Sequence, residues 1–132
     1  MAASLLAGPA LAAFTAQTAT EAHTVSSATL AAPTGLGAIP VCVLVPSSIK
    51  VDLSWTATSS TFADGYEIFR SATSGGPYSS IGTVSGRTTT TYADTTVTFS
   101  TTYHYVVQAT RNAWRSVNSA QASVTTPNLL CL

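Results

Sequence analysis

Charge is what this 132-residue chain has least of. Five Lys plus Arg and five Asp plus Glu make up 8% of its residues and leave no net charge. A balance this sparse and even excludes the basic footprint of a nucleic-acid binder and the polybasic contact that holds a protein to a membrane surface. Cysteine is scarce too. Cys42 and Cys131 stand alone, with no Cys-x-x-Cys pair or Cys/His cluster around either, which excludes a zinc site and leaves a disulfide or two free thiols. There is no phosphate-cradling glycine loop and no nucleophile elbow. Catalysis needs a nucleophile with a base in reach, or paired carboxylates in contrasting environments. The candidate fold offers one histidine, His104, and the carboxylates Asp52, Asp64, Glu67 and Asp94 are scattered without calcium-loop spacing. The chain reads as non-enzymatic, with no cofactor and no metal.

What is present is threonine, serine and a two-residue rhythm. Thr favours strands and Ser sits in turns, and a neutral hydroxyl-rich surface suits an extracellular protein better than a cytosolic enzyme. Thr101-Thr-Tyr-His-Tyr-Val-Val-Gln-Ala109 alternates: Tyr103, Tyr105, Val107 and Ala109 fall on one face, and Thr102, His104 and Gln108 on the other. That is the period of a half-buried β-strand. It places His104 on the outer, solvated face. Ile49-Lys-Val-Asp-Leu-Ser-Trp55 alternates in the same way, with Ile49, Val51, Leu53 and Trp55 inward. Further strands are expected at Val41–Pro46 after an opening segment at Ala31–Leu36, at Gly65–Ser71 with Tyr66 and Ile68 inward, and at Tyr78–Val84. Thr89–Asp94, carrying Tyr92, and Ser116–Thr126 complete the set. About seven short strands with turn signals between them and no helical period predict an all-β fold, a seven-stranded antiparallel immunoglobulin-like sandwich. Parity makes Trp55, Tyr66, Tyr92, Tyr103 and Tyr105 its structural core.

The chain divides into three. Residues 1–13 form a short apolar run broken at Gly8-Pro9, too short to span a bilayer as a helix. It reads as the remnant of a secretory signal with Ala10-Leu-Ala12 as the A-x-A cleavage match, though the basic n-region is missing. Residues 14–30 are Ala/Thr/Ser-rich and read as a linker. With the preceding alanines, Phe14-Thr-Ala-Gln-Thr-Ala-Thr-Glu-Ala-His-Thr-Val-Ser-Ser-Ala-Thr-Leu30 also resembles the start of camelysin- and TasA-type surface proteins. That resemblance implies cleavage after Ala13 and a segment able to donate a strand to a neighbouring subunit. Residues 31–132 form the folded domain.

Laid end to end, Ala32-Pro33…Leu36, Leu53-Ser-Trp55, Gly65-Tyr-Glu-Ile-Phe-Arg-Ser71, Gly76-Pro-Tyr78, Thr91-Tyr-Ala-Asp94, Thr102–Ala109 and Thr125-Thr-Pro127 resemble a fibronectin type III domain in order over residues 31–127. The resemblance gives Tyr103 the place of the corner tyrosine, whose hydroxyl bonds back to the preceding loop. An immunoglobulin domain would need cysteines in its second and sixth strands, and none is there. The topology so implied brings the first connection and the end of the last strand to one pole, so Cys42 and Cys131 are expected to pair, in keeping with an oxidising compartment. It also puts Arg111-Asn-Ala-Trp-Arg115 in a loop where such domains carry recognition residues. Arg111, Asn112, Trp114 and Arg115 are the candidate interaction loop, with Trp114 either an anchor or folded over the sheet edge onto an arginine. Arg-Gly-Asp and Asn-x-Ser/Thr are absent. The resulting expectation is a secreted or cell-surface module for adhesion, spacing or matrix interaction with a protein or polysaccharide partner. The alternatives are a self-associating fibre subunit built through residues 14–30 and an accessory module of a carbohydrate-active system.

Overall fold

A computed structural model of the chain describes residues 29–131; the expected signal remnant and all but the last two residues of the 14–30 segment lie outside it. Among the described residues there are eight strands and no helix. They are β1 (Thr34–Leu44), β2 (Ser47–Thr56), β3 (Gly65–Ser71), β4 (Ser79–Ser85), β5 (Thr91–Asp94), β6 (Thr102–Arg111), β7 (Trp114–Arg115) and β8 (Ala122–Thr125). One sheet has the order β1-β2-β5; the other is β4-β3-β6, with β7 and β8 both pairing along the free side of β6. Every pairing is antiparallel. The chain enters near Leu30 at one pole, beside the β2–β3 and β6–β7 loops, and reaches Cys131 at the other.

The count departs from seven for a local reason. The extra strand is β7, a two-residue pairing at Trp114–Arg115 where the sequence predicts a loop. The final expected strand, Ser116–Thr126, is shortened to Ala122–Thr125, because Ser116 and Ser119 turn inward and are 6% and 7% exposed. The Ala109 amide donates to Ser116 Oγ at 2.9 Å and the Val107 amide to Ser119 Oγ at 3.0 Å. Each serine amide donates back to the carbonyl of the same β6 residue. Two hydroxyls therefore take over acceptor positions that a continuous strand would fill with backbone carbonyls. At the other end of the chain, the Val41 run is no separate strand. It is the second half of β1, which reaches it through a register shift between Thr34 and Gly37.

The two inner faces follow the alternation. Val51, Tyr66, Ile68, Tyr105, Val107 and Ala109 are wholly buried, and Leu53, Trp55 and Tyr103 nearly so. Trp55 and Tyr66 meet edge-to-face at 5.3 Å between ring centroids, a favoured aromatic geometry. The Tyr103 hydroxyl accepts the Thr98 amide at 3.1 Å, tying the β5–β6 loop to β6. Tyr92 is only half-buried, packed against the core at its open side. Its hydroxyl donates to the Ile81 carbonyl at 2.9 Å. Its ring lies over Gly82, where a Cβ would come 2.4 Å from the tyrosine oxygen. Tyr92 thus spans the gap between the edge strands β5 and β4. Cys42 and Cys131 form a disulfide, 89 residues apart in sequence with Cα atoms 6.1 Å apart.

Candidate functional site

The candidate interaction loop is built from β6. After Arg111 the chain turns through Asn112 and Ala113 and returns as Trp114, which pairs back with Arg111. Asn112 has φ 52°, a left-handed conformation that asparagine tolerates better than most residues. Its amide donates to Asp64 Oδ2 at 3.0 Å. Arg111 reaches across to the neighbouring β2–β3 loop. It donates to the Phe62 carbonyl, sits 6.0 Å from the centroid of the Phe62 ring and lies 3.8 Å from Asp64. Arg115 pairs with Glu67 at 2.7 Å. Both guanidinium groups are thereby matched with a carboxylate, and the rim carries little net field.

Trp114 is left standing between these contacts. It is 53% exposed, and the arginines that approach rings do so at Phe62 and Tyr103, not at Trp114, among the described residues. On one side of it lies an open concavity of about 380 Å³ lined by Phe62, Arg111, Asn112 and Trp114. On the other lies a second, of about 440 Å³, bounded by Thr29, Leu30, Trp114, Arg115, Ser116 and Val117. The four residues singled out in the sequence therefore sit together, and Phe62 joins them unannounced. A lone aromatic ahead of Ala63-Asp64-Gly65 carries no period; only its place in a loop at the same pole could have drawn attention to it.

A second constellation lies across the sandwich interior, toward the opposite pole. Asp94, 2% exposed, receives four hydrogen bonds. Arg70 Nη1 and the Tyr105 hydroxyl donate to Oδ2, each at 2.8 Å. The Thr96 amide and hydroxyl donate to Oδ1, at 2.9 and 2.7 Å. Arg70 also lies 4.9 Å from the centroid of the Tyr103 ring. Burial pushes the Asp94 carboxyl up, but the bonds from Thr96, Tyr105 and Arg70 outweigh it and hold the group below the ordinary carboxylate value. Burial, joined by the Asp94 anion, pushes the Tyr105 hydroxyl well above the ordinary tyrosine range. Neither group is poised to exchange a proton near neutrality, and the carboxylate is fully occupied by donors. The cluster clasps β5 of one sheet to β3 and β6 of the other. Sequence reading treated Asp94 as a strand end; the Asp94-x-Thr96 turn was the available sign that its carboxylate would be organised.

His104 lies on the outer face of β6, its Nδ1 2.7 Å from Ser123 Oγ. Among the described residues, no three His, Cys, Asp or Glu side chains are grouped to hold a metal ion.

No protein-family model matches the chain. Exoglucanase B of Cellulomonas fimi is 38% identical over 98 residues, which is 71% of this chain and 8% of that enzyme; the chain thus spans under a tenth of the length of the curated relative it matches. Among solved structures, an Fn3-like protein from Clostridium thermocellum superposes with a TM-score of 0.61 at 39% identity, across 76% of this chain and 96% of that one. A β-1,2-glucanase from Parabacteroides distasonis gives a TM-score of 0.60 at 23% identity, across 76% of this chain and 13% of that one, a likeness of fold alone.

Proposed function

The chain belongs to the fibronectin type III family, and from that premise we propose that it is a non-catalytic, extracellular module of a polysaccharide-degrading system, acting as a spacer with one interacting pole. The observation that carries this reading is the match to exoglucanase B, at 38% identity but over only 8% of that enzyme. A likeness confined to so small a part fits a module that accompanies a catalyst. Of the roles the sequence allows, the accessory one therefore moves ahead of general adhesion.

The fold supports the reading in three ways. The chain enters at one pole and leaves at the other, so successive modules would be held apart by the sandwich's long axis, roughly 33 Å for a ten-residue strand. The disulfide suits an oxidising compartment. The buried ionisable cluster is consumed by its own hydrogen bonds. The fibre-subunit reading draws less support. Of its segment the structure describes Thr29 and Leu30, and Leu30 is buried in this chain's own core.

Two measurements test the proposal. Incubating the purified protein with soluble and insoluble β-glucans should release no reducing ends. Non-reducing mass spectrometry of protein recovered from the host's culture fluid and envelope should find the Cys42–Cys131 bridge, with the protein co-purifying with a glycan-degrading enzyme. Release of sugar by the protein alone would overturn the proposal, and so would an intracellular protein with two free thiols.

A further inference from the structure

We infer that Phe62 and Trp114 form a two-ring platform that binds an uncharged polysaccharide chain, with the Asn112 side-chain amide and the Trp114 indole N–H addressing its hydroxyls. The inference rests on the polysaccharide-associated reading above and gives it a site.

Three features select this occupant. The first is the rings. Phe62 and Trp114, 36% and 53% exposed, flank a single concavity of about 380 Å³, at the small end of the roughly 300–1,000 Å³ span of ligand sites. An exposed indole presents a flat apolar face, which suits the C–H face of a pyranose ring as well as any apolar surface. The second is free hydrogen-bonding capacity. Neither the Asn112 side-chain amide nor the Trp114 indole nitrogen has a partner among the described residues. An amide offers both donor and acceptor, which matches a hydroxyl that can also do both. The third is charge. Arg111 is set against Asp64 and the Phe62 carbonyl, and Arg115 against Glu67. Among the described residues, neither arginine lining these concavities is left over for the carboxylates of an acidic polysaccharide or for a phosphate, and Arg87 at the same pole is turned onto the Thr58 carbonyl. A neutral, hydroxyl-rich ligand is the one whose charge and polarity this rim complements.

The loops hold the platform rigidly for such a site. Asp64 ties the two loops together through the Asn112 backbone N–H, while its own backbone N–H donates to the Thr110 carbonyl at 2.7 Å. Arg111 bonds the carbonyl of Phe62 itself. The Phe62 backbone and the β6–β7 turn are thus fixed relative to each other before ligand arrives, which lowers the ordering cost of binding.

The test is affinity electrophoresis of the intact protein through gels containing soluble neutral β-glucans, with co-sedimentation on microcrystalline cellulose. Wild-type protein is expected to be retarded and retained. Trp114→Ala should weaken binding at least tenfold and Phe62→Ala several-fold, whereas Trp114→Phe should recover part of the loss. Leu44→Ser, at the opposite pole, should bind like wild type. Thermal melts of all four variants establish that each is folded. Carboxymethylated glucan should bind no better than the neutral polymer. If wild type binds no neutral glucan, the platform is overturned while the spacer role stands. If it binds but Trp114→Ala and Phe62→Ala bind equally well, the site is elsewhere. If Trp114 instead proves to hold a protein partner, with no glucan retained, the inference also falls.

Discussion

Breaking the Cys42–Cys131 bridge, by the double substitution Cys42→Ser/Cys131→Ser or by reduction, should remove a large part of this domain's stability. The bridge spans 89 residues of sequence. In the chain-entropy account, closing a loop of about 90 residues lowers the entropy of the unfolded chain by roughly 15 cal/mol/K, about 4.6 kcal/mol at 25 °C. Single domains hold a net stability of about 5–15 kcal/mol, so the change is a third or more of the whole. It corresponds to a fall in melting temperature of roughly 20–35 °C for a domain of this size. The folded state itself should persist without the bond. The last strand remains fixed by Thr126, whose hydroxyl donates to the Thr98 carbonyl at 2.6 Å and accepts the Thr101 amide at 2.9 Å. Urea titration of the oxidised, reduced and doubly substituted proteins is the assay, and it carries an internal check. A cross-linked unfolded chain exposes less surface, so the slope of free energy against urea should rise when the bridge is absent. Unfolding free energies agreeing within about 1 kcal/mol, with equal slopes, would refute the reasoning, because the loop would then not be constraining the unfolded ensemble.

The remaining predictions concern the interior. Asp94→Ala leaves Arg70 and Tyr105 facing an emptied site. Because the Arg70 side chain keeps 24% exposure, the expected cost lies at or below the low end of the roughly 3–5 kcal/mol for breaking a buried pair; chemical denaturation measures it. Since the folded carboxyl titrates below its unfolded value, its contribution is complete above the unfolded pKa, about 3.8, and is lost as pH falls through the lower folded value; Asp94→Asn should flatten that acid limb. Tyr105 is shifted the other way, so its contribution is complete below about pH 10 and declines as pH rises beyond it, a limb that Tyr105→Phe should abolish in alkaline melts. Gly82→Ala places a Cβ 2.4 Å from the Tyr92 hydroxyl and should cost about 1–3 kcal/mol, a penalty that a double-mutant cycle should find removed in a Tyr92→Ala background. Ser116→Ala and Ser119→Ala each orphan a buried β6 amide and should cost about 1–3 kcal/mol apiece, read as earlier urea midpoints with unchanged slope.

How much of this was open to reading depended on whether a feature has a period. Ile49 to Trp55 and Tyr103 to Ala109 announce their buried faces because a strand repeats every two residues, and the structure buries those side chains. Two strands at that period, with turns between, constrain an antiparallel sandwich strongly. The end of the chain was harder, because Ser116 and Ser119 break the ladder through side-chain oxygens. A serine's choice between turn, surface and backbone mimicry leaves no mark on hydropathy. The same limit hid the Arg70–Asp94–Tyr105 clasp, whose members come from three strands in two sheets. Each looks like an ordinary surface charge or core ring until the sheets are stacked. Tyr92 was placed in the core by parity, but a four-residue edge strand has no second neighbour to cover it. Trp114 stood out as an aromatic between two arginines, while Phe62 depended on a loop–loop juxtaposition that only the fold supplies.

The distribution of these devices bears on how a spacer could carry load. The disulfide and the Tyr103 corner lie at the exit pole, with the Asp94 clasp toward it, and the aromatic platform lies at the entry pole. The bond between Cys42 and Cys131 places residues 42 to 131 inside one covalent loop. Tension entering at Leu30 and leaving beyond Cys131 therefore runs along β1 to Cys42 and crosses the sulfur–sulfur bond, without passing through the remaining strands. Pulling can peel β1 from β2, but it cannot draw out the chain between the two cysteines while the bond is intact. Peeling β1 is opposed by its ladder to β2, which pairs from Thr34 to Leu44 with one register shift. A module so built limits its extension under strain, although the pull at Leu30 also meets the β2–β3 loop through the bonds of Ala31 to Ser60 and Thr58. For the spacer role proposed above, this makes the disulfide, more than the size of the core, the feature that limits extension.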